Sequence, residues 1–70
     1  MNTTIKVDGM TCGHCVHAVT TELTALPAVT EVAVDLHAGA TSTVTINSEA
    51  PLADDDVRAA IDEAGYVVVA

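Results

Sequence analysis

The chain has two cysteines, three positions apart in the stretch Gly9-Met10-Thr11-Cys12-Gly13-His14-Cys15. A close thiol pair has two chemistries open to it: it can hold a soft metal ion as thiolates, or cycle between dithiol and disulfide. A structural staple is the weakest reading, because a disulfide here closes a very short loop and removes little chain entropy. Thiolates favour Cu(I), whereas a structural zinc site asks for about four nitrogen or sulfur ligands in a tetrahedron. Beyond Cys12 and Cys15, only His14 and Asp8 stand near enough in sequence to donate. Two sulfurs suit an ion content with low coordination, and they leave room for an incoming thiolate. His14 stays open between a third ligand, a donor to a thiolate, a contact to a second molecule and a solvent-exposed loop residue. His17 and His37 read as surface residues, one on the outer face of a helix and the other in a turn far in sequence from the cysteines.

The pair must be positioned by what flanks it. From Thr3 to Asp8 the pattern alternates, with Ile5 and Val7 on one face and Thr4, Lys6 and Asp8 on the other, which predicts a half-buried strand. Gly9 breaks that strand, and Gly13 is expected to let the chain bend between the cysteines. From His14 the period changes: Val16, Val19, Leu23 and Leu26 share one face of a helix that Pro27 ends near Leu26. Cys15 then falls in the first turn and Cys12 just before it. Both sulfurs can converge beyond the helix N-terminus, where unpaired N–H groups and the positive end of the dipole favour the thiolate. The same helix end stabilises the single negative charge of Cu(I) held by two thiolates.

Alternation returns over Thr30–Leu36 and again over Thr41–Asn47, with Val32, Val34 and Leu36, then Val44 and Ile46, pointing inward. His37-Ala38-Gly39-Ala40 supplies the turn of this hairpin, and Gly39 is the natural place for a positive φ. Asp54, Asp55 and Asp56 open a second helix, one of them expected to cap free N–H groups while the others meet the dipole. Val57, Ile61 and Ala64, with Ala60 beside them, form its buried stripe, and Gly65 is the C-terminal cap. Tyr66–Ala70 reads as a final strand. The order β-α-β-β-α-β predicts an α+β, ferredoxin-like open-faced sandwich. Its four-stranded antiparallel sheet has spatial order 4-1-3-2, two helices on one face and a polar face opposite.

Residues 1–70 make one domain, too short to divide its apolar side chains between two cores. Ten acidic residues against Lys6 and Arg58 give a formal charge of −8, which excludes a nucleic-acid surface and an anionic membrane as partners. No apolar run approaches the roughly 20 residues of a membrane span, and the start lacks the pattern of a signal peptide. A cytoplasmic location follows as the expectation, and there a lone cysteine pair points to metal or redox chemistry.

Gly-Met-Thr-Cys-x-x-Cys after the first strand resembles the heavy-metal-associated domain family, in its bacterial copper-chaperone (CopZ-type) branch. The likeness runs along the chain to the Gly65-Tyr66 pair before the last strand. It implies that Cys12 and Cys15 are the Cu(I) ligands and that Met10 turns inward to anchor the loop without ligating. It implies that Tyr66 sits beside the metal site, and Thr11 resembles copper-type members, whose zinc-exporting relatives often have Asp. The resemblance further implies a non-enzymatic Cu(I) carrier that passes its ion by thiolate exchange to the metal-binding domain of a copper-transporting P-type ATPase. A copper-sensing repressor and a copper-bridged homodimer are further partners it allows.

Two alternatives stand beside a free chaperone. One is the N-terminal metal-binding domain of such an ATPase. The other, from a different class, is a small glutaredoxin-like thiol-disulfide oxidoreductase, since Cys-Gly-His-Cys is also the tetrapeptide of protein disulfide isomerases. Against the redox reading, the chain ends on Tyr-Val-Val-Val rather than a helix, Pro51 precedes a predicted helix, and no aromatic residue precedes Cys12.

Overall fold

The computed structural model describes residues 1–11, 13–37 and 39–69. Their elements are β1 (Asn2–Asp8), α1 (Gly13–Thr24), β2 (Val29–Asp35), β3 (Ser42–Ser48), α2 (Asp54–Glu63) and β4 (Val67–Val68). The sheet runs β2-β3-β1-β4 with antiparallel neighbours, so β1 and β3 lie centrally, as the expected crossovers require. The ferredoxin-like sandwich is therefore the observed fold.

Register explains the two faces. Ile5 lies opposite Val44, which faces Val34, while Ile46 sits between Thr3 and Val32. These rows carry the inward side chains, and α1 and α2 cover them with Val19, Leu23, Val57 and Ile61 in one apolar cluster. Val7, Val19, Leu23, Val44, Ile46 and Ile61 are fully buried, each worth roughly 1.5–3 kcal/mol of transfer free energy. The intervening rows, Thr4 with Thr45 and Lys6 with Thr43, lie on the open face. There Lys6 Nζ donates to Thr43 Oγ1 at 3.0 Å.

Several boundaries depart from the sequence reading. The buried stripe of α1 is Cys15, Val19 and Leu23, while Val16 and Leu26 pack at its margins. Cys15 thus takes a core position that the apolar period had given to Val16. The helix stops at Thr24, short of Leu26. At this end Thr24 Oγ1 donates to the carbonyls of Thr20 (2.8 Å) and Thr21 (3.1 Å). Strand β2 is shifted one residue toward the N-terminus, with an irregularity between Val29 and Glu31. In the hairpin, Gly39 has φ of 78° as expected, while Ala38 lies outside the described residues.

No aspartate caps α2. Its N-cap is Ala53, in extended conformation and without a side-chain hydrogen bond, and Asp54, Asp55 and Asp56 occupy the first turn itself. Their interaction is with the dipole alone. At the other end Gly65, φ 93°, closes the helix as expected: its N–H donates to Asp62 O at 2.9 Å and the Tyr66 N–H to Ile61 O at 3.1 Å. Strand β4 spans only Val67–Val68, because Tyr66 is taken up by that cap. Val69 N–H still reaches Lys6 O at 2.8 Å, and Ala70 lies outside the described residues. Among the described residues no helix is long and apolar enough to cross a membrane.

Candidate metal-binding loop

The segment between β1 and α1 is held at three points. Gly9 leaves the strand with φ of 95°, a conformation that costs any residue with a Cβ. Met10 follows at 1% exposure, inside the core. Cys15, at 8% exposure, is the third residue of α1 and belongs to the same cluster. Thr11, Gly13 and His14 are exposed between these anchors.

Thr11 sits over the Cys15 sulfur. Its backbone N–H donates to Cys15 Sγ at 3.5 Å and its Oγ1 lies 3.9 Å from the same atom. A donor so placed stabilises negative charge on the sulfur. The first turn of α1 carries no acidic residue to oppose that charge. Cys12, the other sulfur of the pair, lies outside the described residues. Gly13 is already helical in α1 and is not among the glycines with positive φ. The break expected at Gly9 is made there, and the turn between the cysteines involves Cys12, outside the described residues. A Cβ on Gly13 would meet nothing within 4 Å.

His14 is exposed on the first turn of α1, and His17 is exposed one turn on. Asp8 ends β1 on the open face, opposite Val67 of β4. His37 is closer to the loop than sequence distance suggested. Val7 pairs with Ser42, and Ser42 Oγ accepts the His37 N–H at 3.0 Å, so the hairpin turn lies at the loop end of the sheet. The antiparallel pairing of β1 with β3 was the signal that places it there. His37 Nε2 lies 3.1 Å from Asp35 Oδ2, with both side chains at least half exposed, a contact of little energetic weight. Among the described residues no group of three His, Cys, Asp or Glu side chains could hold a metal ion.

Tyr66 is half-buried, and a methyl group placed on Gly9 would stand 3.4 Å from its Cδ1. A shallow groove of about 240 Å³ between α2 and β4 is lined in part by Arg58, Asp62, Tyr66 and Val68. It meets the loop through Tyr66, and an ion taken up by sulfurs on an exposed loop needs no such cavity.

Residues 4–67 match the model of the family described as the heavy-metal-associated domain. The copper chaperone CopZ of Staphylococcus saprophyticus is 41% identical over 70 residues, covering 93% of each chain. The human copper-transporting ATPase 2 is 36% identical over 64 residues, a match spanning 91% of this chain and 4% of that protein. Among solved structures, one described as CopZ metallochaperone superposes with a TM-score of 0.85 at 33% identity, over 99% of this chain and all of that one.

Proposed function

The chain belongs to the heavy-metal-associated domain family, and from that membership we propose that it carries Cu(I) on the Cys12 and Cys15 sulfurs and hands it to a copper-transporting ATPase. The observation that carries this reading is the combination of the motif with its support. Gly-Met-Thr-Cys-x-x-Cys falls where β1 gives way to α1, and Thr11 N–H points at the Cys15 sulfur. The near full-length similarity to a copper chaperone favours a carrier over an enzyme.

The chemistry follows from the donor set. Two soft thiolates satisfy a Cu(I) ion in low coordination. The positive end of α1 and the Thr11 N–H offset the negative charge that the complex keeps. Because the protein offers two sulfurs, a thiolate from a partner can add as a third before one of the original two leaves. The ion passes from protein to protein without entering water, with no change of oxidation state. The recipient is a domain of the same kind, a proposal supported by the match to one small part of a copper-transporting ATPase. We place this exchange in the cytoplasm, where thiols stay reduced. The same match keeps the ATPase-domain reading as the second one; both use the same two sulfurs.

Replacing Cys12 and Cys15 together with Ser is expected to abolish tight Cu(I) binding in competition with a chromogenic chelator, with the circular dichroism spectrum unchanged. Retained tight binding in that variant would refute the assignment of the sulfurs.

A further inference from the structure

The two edges of the sheet differ. At one edge β2 is interrupted by an irregularity between Val29 and Glu31, a device that discourages further pairing. At the other edge, among the described residues, no strand lies beyond β4. Val69 N–H donates to Lys6 O. By the alternation of an antiparallel ladder, Val67 and Val69 therefore direct their backbone groups toward β1, while Val68 directs its N–H and C=O outward. The side chains alternate as well. Val68 packs against the core, whereas Val67 and Val69, 62% and 51% exposed, lie on the open face, where the central strands carry Thr4, Lys6, Thr43 and Thr45.

On its helix side this edge is bordered by α2. The groove of about 240 Å³ beside β4 and a second pocket of about 180 Å³ near Ile5 share Arg58 and Val68 in their walls. Asp62 lines the first and Asp54 the second. Asp54, Arg58 and Asp62 stand four residues apart on one face of α2, a stripe of alternating charge that advances about 6 Å per step. All three are exposed. Among the described residues the one close ion pair is that of His37 with Asp35, so the charges of the stripe are not matched by direct contact with one another.

Residues on one side of a β-strand recur at every second position, about 6.6 Å apart, a spacing close to that of the stripe. We propose that the β4 edge takes up an extended segment of a partner protein, paired antiparallel with β4, whose helix-side residues run basic, acidic, basic opposite Asp62, Arg58 and Asp54. The intervening residues of that segment are β-branched and cover Val67 and Val69 on the open face. Backbone pairing at Val68 supplies attraction, and the charge order supplies selectivity. A second copy of this chain does not meet these requirements. Its β4 offers no charged side chain to the stripe, and each copy carries a charge of −8. No described residue of the loop between β1 and α1 lines either pocket, so the proposal is independent of the copper reading.

The probe is the end-blocked peptide Lys-Val-Glu-Val-Lys, titrated at low salt into the isotope-labelled, metal-free protein and followed by amide chemical shifts. Saturable shifts are expected at Val68 and Arg58, with Val32 and Val34 on the far side of the sheet unmoved. Lys-Val-Lys-Val-Lys, although more positive, is expected to bind up to about fivefold more weakly, the range of one exposed charge pair. In Arg58→Glu, where the stripe becomes wholly acidic, the order of the two peptides should reverse. N-methylation of the central Glu nitrogen in the first peptide removes the donor to Val68 O and is expected to abolish the shifts. Tighter binding of the all-lysine peptide to the native protein shows attraction by net charge alone and overturns the proposal. Undiminished binding of the N-methylated peptide, or no saturable shift at Val68, overturns it equally. The three peptides on the native protein decide the matter even if Arg58→Glu does not fold.

Discussion

The two helices begin in opposite ways. The first turn of α2 holds three carboxylates, Asp54, Asp55 and Asp56, and that of α1 holds none. Both ends carry the positive end of a helix dipole, which favours a nearby anion. At α2 the anions are resident and serve stability, at the end of the molecule away from the loop. At α1 the place is left to sulfur: Cys15 lies in the first turn, and the chain reaches it from Thr11, whose N–H donates to Sγ. In a chain of charge −8, keeping carboxylates off this one turn separates the end that stabilises the fold from the end proposed to take up the metal.

That contrast can be broken at either helix. Changing Asp54, Asp55 and Asp56 together to Asn removes the resident anions of α2 and should lower stability by about 1–2 kcal/mol at low ionic strength. The loss should shrink as salt is added. Urea unfolding reads the loss, and Cu(I) affinity should not change. A smaller and more pointed effect is expected from Gly13→Asp, which places a carboxylate on α1 where a side chain meets nothing. Stability should rise by roughly 0.3–1 kcal/mol, as for other acids in a first turn. Cu(I) affinity should fall by up to about fivefold, because the new anion sits beside two thiolates. A Gly13→Asp variant that gains stability without losing affinity would show that the α1 terminus does not help to hold the metal.

Much of the frame was legible in the chain. Alternation located β1, the 3.6-residue period located α1, and Gly39 and Gly65 marked turns that need a positive φ. Other features depend on relations that a linear pattern does not carry. Three consecutive aspartates could not say which one stood at the cap, and none does, because the helix begins one residue earlier than a capping aspartate requires. The run Tyr66–Ala70 has strand-forming residues throughout, but Tyr66 belongs to the closing turn of α2.

The candidate site shows the same division. Cys12 and Cys15 stood out by type and spacing, whereas the inward turn of Met10, which is buried, and the place of Tyr66 came only from the family resemblance. His37 looked remote because sequence separation was the only distance at hand. Pairing Val7 with Ser42 brings its turn to the loop end of the sheet. Gly13, given the bend by its position between the cysteines, is helical. Gly9, read from the sequence as the strand breaker, ends β1 with a positive φ.

The central claim, that copper is carried as Cu(I) by sulfur alone, is tested most directly by the Cu K-edge absorption spectrum of the loaded protein, recorded with and without His14→Ala. The account predicts a Cu(I) edge and a shell of sulfur scatterers, the same in both samples. A Cu(II) edge, or a nitrogen scatterer that disappears with His14, would contradict it.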